Sequence, residues 1–248
     1  MMLRLLAVVT LSLSLSANAA AATYWGPRTP LGAGSARVAV STDIAGNPAA
    51  IMIVLTGNAL NGLPRKDKPT GWTYLLPAPS GIKTGIDHVS IDWNPQGHEP
   101  PEIYGFPHFD FHFYTITKSQ QLAIAFPKGP KDSAAVVSDA SLVAPTYRIF
   151  PEAAIPQMGV HAFSVASPEF QHKRFTTTLL YGYYENRLIF VEPMITRAFL
   201  LSHPDVTMSI PTPKKYSSAG WYPSKYVVRY DAARNTYVIA LIGLRRWE

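Results

Sequence analysis

The segment of residues 105–114, Gly-Phe-Pro-His-Phe-Asp-Phe-His-Phe-Tyr, constrains the fold of this chain most tightly. In an extended strand, successive side chains point to opposite faces. The phenylalanines at alternating positions therefore form one apolar face that has to be buried in a core. The opposite face carries three groups that can bind a metal ion or transfer protons: His108, Asp110 and His112. The alternation thus predicts a strand with one packing face and one functional face.

The N-terminus has the pattern of a secretory signal peptide, which we place at residues 1–19. A basic Arg4 precedes an apolar run over residues 5–15, and the small residues Ala17 and Ala19 mark a cleavage site. The apolar run is too short to span a membrane, and no other run reaches spanning length. We therefore expect an exported protein, periplasmic or secreted, whose mature chain has no membrane span.

The composition favours one β-rich domain over residues 20–248. The chain has no cysteine and cannot form disulfides, but it is 47% hydrophobic and long enough to bury a sizeable core without them. Its formal net charge is +6, and the basic residues are scattered without a stripe of interleaved aromatic residues. This pattern argues against a nucleic-acid partner.

Runs rich in Val, Ile, Thr and aromatic residues, separated by 22 prolines and 16 glycines, indicate a mostly β chain. The expected strands are residues 36–41, 50–56, 88–93, 107–117, 121–126, 160–165, 175–184, 188–193, 225–230 and 237–244. Hairpins are predicted at 184–187 and 231–235, and a turn at 118–120 should return the histidine strand onto 121–126. Short helices are expected over 138–144 and after Thr196, a plausible N-cap. The predicted fold is a single-domain barrel or sandwich of about ten strands with a few short helices.

Four of the seven histidines are candidate metal ligands: His98, His108, His112 and His161. Asp110 and Glu102 are candidates for a catalytic acid or base, or for a carboxylate that orients a ligand imidazole. Imidazole and carboxylate together form the usual ligand set for zinc, iron or manganese. We predict a divalent metal as the cofactor, with zinc as the first choice.

Spacing leaves several arrangements open. His108 and His112 are about 13 Å apart at Cα on a flat strand, so they can share one ion only if the strand bends or both side chains lean inward. Asp110 is closer to each of them. A His-x-Asp…His triad made of His108, Asp110 and His161 would be similar to that of non-haem iron oxygenases. Alternatively, the row is a buried polar network that sets strand register.

The stretch 97–104 running into 107–114, together with 156–161 and 192–196, resembles an uncharacterised family of exported bacterial β proteins with a His-Phe-Asp-Phe-His-Phe-Tyr motif. The resemblance extends from about residue 42 to the C-terminus. It implies a β-rich fold and ring-like homo-oligomers, but no established reaction. It therefore supports the histidine positions more than any activity.

Two functional hypotheses follow. In the first, the chain is an exported metal-binding protein that supports metal-assisted hydrolysis or hydration of an unidentified small molecule. In the second, it is a non-enzymatic binding or oligomeric assembly protein, and the histidine row is a structural network. Signatures of serine hydrolases, zincin proteases and nucleotide-binding loops are absent from the sequence.

Overall fold

The computed structural model describes residues 21–68 and 71–248. The predicted signal peptide, residues 1–19, lies outside the described residues. The chain is mainly β, with 45% of residues in strands and 14% in helices, which confirms the predicted fold class. In the part of the chain that the structure describes, no helix combines the length and apolarity needed to cross a membrane.

Sixteen strands, paired antiparallel, are found in the described residues: β1 (Thr23–Trp25), β2 (Thr29–Leu31), β3 (Gly34–Thr42), β4 (Pro48–Thr56), β5 (Trp72–Leu76), β6 (His88–Asn94), β7 (His108–Tyr114), β8 (Tyr147–Ile155), β9 (Gly159–Ser164), β10 (Thr177–Tyr184), β11 (Arg187–Thr196), β12 (Asp205–Ser209), β13 (Gly220–Tyr222), β14 (Lys225–Asp231), β15 (Thr236–Ile242) and β16 (Arg245–Trp247). The same described residues contain three short α-helices: α1 (Pro101–Tyr104), α2 (Lys118–Leu122) and α3 (Arg197–Leu201).

The strands form two seven-stranded sheets and a small ribbon. The first sheet has the order β1-β3-β4-β15-β14-β12, with β2 paired to β3. The second has the order β5-β6-β7-β11-β10-β9-β8, so the histidine strand β7 lies well inside the sheet. β13 and β16 pair with each other.

The two sheets share one apolar core. The cluster contains Ile53 and Ile239 from the first sheet and the three phenylalanines of β7 from the second, all fully buried. Burying each phenylalanine contributes roughly 1.5–3 kcal/mol, which is why the alternation fixes the orientation of β7. Two sheets around a common core fit the sandwich alternative of the predicted fold.

The opposite face of β7 is buried as well. All seven residues of the strand are buried, including its histidines and aspartate. A second, smaller apolar cluster lies on this side of the sheet, formed by Tyr104, Phe175, Leu180 and Met194. The polar row of the strand therefore lies in the protein interior.

Several local predictions are confirmed and others are wrong. The hairpins at 184–187 and 231–235 are present, and the Thr196 hydroxyl accepts a hydrogen bond from the Phe199 N–H at the start of α3. The predicted strand 121–126 is wrong, because Thr117 and Gln120 form a capping box that begins α2 at this point. β7 consequently pairs with β6 and β11. The predicted helix 138–144 is reduced to a 3₁₀ turn at Ala140–Leu142.

Candidate metal centres

Three strands bring the polar groups onto the outer face of the second sheet. β6 pairs Asn94 with His108 and Asp92 with Asp110. The pairs Val191–Phe113 and Met194–Asp110 set the register of β11, which places Glu192 opposite His112.

Two further histidines reach this face from elsewhere in the chain. His161 comes from β9, where it pairs with Gly182 of β10. His98 comes from the connection between β6 and α1.

The potential ligands form two separate groups, which we call the first triad and the second triad. The first triad consists of His98, His108 and Asp110, and the second of His112, His161 and Glu192. Within each triad, one ligand atom per residue lies within 4.8 Å of the other two. Ligands about 2.1 Å from a common ion lie roughly 3–4 Å apart, so a small inward movement of each group would complete a site.

In the first triad, both imidazoles turn Nε2 toward the same carboxylate. Nε2 of His108 lies 3.2 Å from Oδ1 of Asp110, and Nε2 of His98 lies 3.7 Å from Oδ2. On the far side of each ring, Nδ1 donates a hydrogen bond to a backbone carbonyl, that of Phe106 for His108 and that of Glu99 for His98, both at 2.7 Å. A carbonyl can only accept, so Nδ1 carries the proton and Nε2 of a neutral ring carries a lone pair.

The Asn94 amide also contacts the first triad. Its nitrogen donates to Oδ2 of Asp110 at 2.7 Å and lies 3.3 Å from Nε2 of His108. The other carboxylate oxygen of Asp110, Oδ1, is buried and has no hydrogen-bond partner. Because an orphaned buried carboxylate oxygen is costly, this atom favours a cation beside it.

The second triad repeats the arrangement around Glu192. Nδ1 of His161 donates to the Ala153 carbonyl at 3.0 Å, and its Nε2 lies 3.6 Å from Oε2 of Glu192. Nε2 of His112 lies 3.5 Å from Oε1. Both ring nitrogens of His112 and Oε2 of Glu192 are buried without an aligned hydrogen bond. These distances are too long for strong hydrogen bonds and leave room for a small ion.

Asp92 lies behind His112 on the side away from Glu192. Its Oδ2 is 3.0 Å from Nδ1 of His112, although the approach is not aligned for a hydrogen bond. The Thr73 hydroxyl donates to the other oxygen of Asp92. A carboxylate held behind a ligand imidazole is the usual means of orienting the ring toward a metal.

Burial and charge shift the pKa values of these groups in different directions. Burial opposes charge on Asp110, but the neighbouring His108 and His98 outweigh it and hold the pKa of Asp110 well below its usual range. Burial also opposes charge on His98, but the nearby Asp110 carboxylate outweighs it and raises the pKa of His98 to about 9. Burial lowers the pKa of His161 to about 4 and raises that of Glu192. The first triad therefore favours a positive charge beside Asp110. In the second triad, the His161 ring stays neutral at neutral pH, which is the form that binds a metal ion.

The two triads differ in access to solvent. The His98 side chain is 37% exposed, whereas the other five members are buried. The Phe190 ring packs between the histidines of the second triad, with its centroid 4.8 Å from that of His112 and 5.3 Å from that of His161. Only the first triad has a member through which solvent or a small molecule can approach.

The structure thus brings all four predicted histidines into metal-capable groups, but divides them between two. His161 joins His112 and Glu192, so the triad of His108, Asp110 and His161 considered from sequence is not formed, and His98 takes the third position. Glu102 is exposed on α1 and belongs to neither group.

Sequence reasoning missed Glu192 and Asp92 as site residues. Glu192 lies in the run Leu-Ile-Phe-Val-Glu-Pro-Met-Ile, where one charged residue interrupts an apolar strand. A charged residue buried in such a strand requires a partner of opposite charge or a metal ion, and this requirement could have identified Glu192 as a site residue.

No protein-family model, curated protein or solved structure matches this chain.

Proposed function

We propose that this chain is a divalent-metal-binding protein in which each triad holds one ion. One observation carries the proposal: the Nδ1 atoms of His98, His108 and His161 are committed to backbone carbonyls, and their Nε2 atoms face carboxylate oxygens. When Nε2 is unprotonated, the two lone-pair-bearing groups repel each other unless a cation lies between them, and a metal ion meets this need at both carboxylates without protonating the rings. Fixing the far nitrogen of a ligand imidazole is also how proteins orient metal ligands.

The ligand set narrows the choice of metal. Each triad offers two imidazoles and one carboxylate, a set that suits zinc and also iron(II) or manganese. With no thiolate in the chain, soft-metal sites built on cysteine are excluded. Zinc is our first choice, because two histidines and one acidic residue form one of its common catalytic ligand sets.

The difference in burial suggests different roles for the two ions. An ion at the second triad would be enclosed by protein and would stabilise the fold, since it binds only the folded arrangement. His98, His108 and Asp110 would hold an ion at the first triad, where the exposed His98 leaves access for a small molecule. Such an ion would supply an acidified water for hydrolysis or hydration. In this geometry Asp110 would be a metal ligand, and its negative charge would partly neutralise the ion.

Two parts of the proposal rest on the sequence alone. The predicted signal peptide supports export to the periplasm or the medium. The resemblance to exported β proteins supports a homo-oligomer.

Metal content tests the proposal. Protein produced without a histidine tag, incubated with zinc at neutral pH and desalted, should retain about two equivalents. His98→Ala and His161→Ala should each retain about one equivalent, because each removes a ligand from one triad only. His172→Asn is the matched control; His172 is exposed, has a positive φ that asparagine tolerates, and belongs to neither triad. Less than about a tenth of an equivalent in the wild type would overturn the proposal.

A second candidate function is favoured by Asn94. Its amide already links Asp110 and His108, as expected if the row is a structural network in a non-enzymatic binding or assembly protein. On this alternative, zinc and chelators leave the melting temperature unchanged, and the His108→Ala and His112→Ala double variant loses stability or assembly. On the metal proposal, zinc raises the melting temperature of the chelator-treated wild type.

A further inference from the structure

Two neighbouring cavities share part of their lining. They have volumes of about 400 Å³ and about 420 Å³, and Pro107 and Arg197 line both. We call their union the Pro107 groove. Each cavity alone has the size of a small-molecule site, and Arg197 faces both.

The charged side chains of the groove are all arginines. Arg65 lines one cavity, Arg174 lines the other, and Arg197 lines both, whereas neither lining contains Asp or Glu. Within the described residues, none of the three arginines forms an ion pair with a carboxylate; the basic residues Lys215, Arg229, Arg234 and Arg246 do. Three guanidinium groups without counter-charges make this groove complementary to an anion.

Two of the arginines are held in place by their surroundings. Nε of Arg197 donates to the Leu60 carbonyl at 3.0 Å, which anchors the stem and leaves the terminal nitrogens available. The Arg174 guanidinium lies 4.7 Å from the centroid of the Phe106 ring. Such anchoring lowers the entropy that is lost when an anion is bound.

The rest of the lining is largely apolar. Trp93 and Leu63 belong to one cavity, and Phe175 and Leu201 to the other, where Leu201 is 43% exposed. The same Phe175 ring packs edge-on against the His108 ring, with centroids 5.5 Å apart. Phe175 therefore connects the lining of the second cavity to the first triad.

We propose that the Pro107 groove binds a small organic anion with an apolar body and a carboxylate or phosphate head. The arginines recognise the head, since guanidinium pairs with either group through two parallel hydrogen bonds. The aromatic and aliphatic side chains of the lining pack against the apolar body of the ligand. The excess of basic over acidic residues favours approach of such a ligand to the protein surface. This proposal does not depend on metal binding.

Calorimetric titration of the full-length protein at low salt tests the inference. The probes are octanoate and octyl phosphate, with octanol as the uncharged counterpart of equal chain length. We expect one or both anions to bind with about 1:1 stoichiometry at least about tenfold more tightly than octanol. The preferred anion identifies the head group. Titration of chelator-treated protein should give the same result, which separates this proposal from that of metal binding.

Arg174→Gln and Arg197→Gln should each weaken binding of the preferred anion by about tenfold, because each removes a charge-assisted hydrogen bond. Arg187→Gln, at the exposed first residue of β11, is the matched control and should bind as the wild type does. The Arg197→Gln variant loses the hydrogen bond to the Leu60 carbonyl, which could disturb its fold. Arg174 is exposed, so the Arg174→Gln variant should fold normally and keeps the test valid. Equal affinity for octanol and the anions, binding unchanged in Arg174→Gln, or no binding of either anion would overturn the proposal.

Discussion

Asp92 and Asp110 are directly paired across β6 and β7, so two carboxylates lie side by side on the outer face of the second sheet. Like charges directly opposite each other destabilise a sheet. Here they are accompanied by imidazoles, since Asp110 faces His98 and His108 while Asp92 faces His112. The sheet thus holds a concentration of negative charge that protons or metal ions have to neutralise.

We predict that Asp92→Asn selectively weakens the second triad. The substitution removes the negative charge behind His112 and should lower zinc affinity about 10–100-fold, the usual effect of losing an orienting carboxylate. Zinc titration against a chromophoric chelator, in a His98→Ala background that silences the first triad, measures this affinity. Asp87→Asn is the control, because Asp87 forms a similar contact at 3.0 Å with His88, outside both triads. Equal affinities in the two variants would contradict the assigned role of Asp92.

Phe111 tests the apolar face of the same strand. It is fully buried in the shared core. Phe111→Ala should destabilise the protein by about 3–5 kcal/mol through lost burial and the cavity left behind. Urea unfolding of the chelator-treated protein gives the value.

The matched control is Phe150→Ala on β8, where the side chain is 38% exposed. Its cost should be clearly smaller. A cost for Phe111→Ala below that of Phe150→Ala would contradict the assignment of the phenylalanine face to the core.

The sequence predicted the orientation of β7 and the types of ligand because the alternation has an exact period of two. It could not predict how the ligands divide, because this depends on which strands flank β7. The segment expected to form the neighbouring strand begins with α2, because Thr117 and Gln120 form a capping box there. The strand that pairs with β7 on this side is β11. Glu192 lies on β11, so the wrong prediction of the strand beside β7 meant that this ligand was not predicted.

The additional strands have a similar explanation. β5 lies in a stretch that is rich in Pro, Gly and charged residues and that lacks a clear apolar period. It pairs only with β6 as an edge strand of the second sheet. The strand itself, Trp-Thr-Tyr-Leu-Leu, consists largely of residues that favour strands. It has only five residues, and the turn-forming residues on both sides of it led to the prediction of a loop.

His161 gives the metal-free protein a defined pH dependence. Burial lowers its pKa to about 4 in the folded state, whereas an unfolded histidine has a pKa near 6.5. Between these values the unfolded chain binds a proton that folded His161 does not. Its contribution to stability is therefore fully present above about pH 6.5 and is lost as the pH falls toward about 4, by at most about 3 kcal/mol.

Urea unfolding at pH 7 and at pH 4.5, with chelator present, measures this loss in the wild type and in His161→Gln. Glutamine does not titrate, so the stability difference between the two proteins should change with pH in favour of the variant as the solution is acidified. A difference that is independent of pH would show that His161 is not buried as a neutral ring.

Gly182 links the second triad to its packing and provides the last test. This residue of β10 pairs with His161 on one side and with Phe190 on the other, and a Cβ placed at its position would fall on the Phe190 ring. The ring packs against His112 and His161, so displacing it should disturb both ligands. Gly182→Ala is expected to cost about 1–3 kcal/mol of stability through overpacking. It should also lower zinc retention at the second triad and leave that of the first unchanged.

Gly220→Ala is the control, since its Cβ would make only an ordinary 3.4 Å contact with Tyr222. Thermal unfolding and zinc content of both variants decide the matter, and a Gly182→Ala protein with unchanged stability and two bound ions would refute the role given to Phe190.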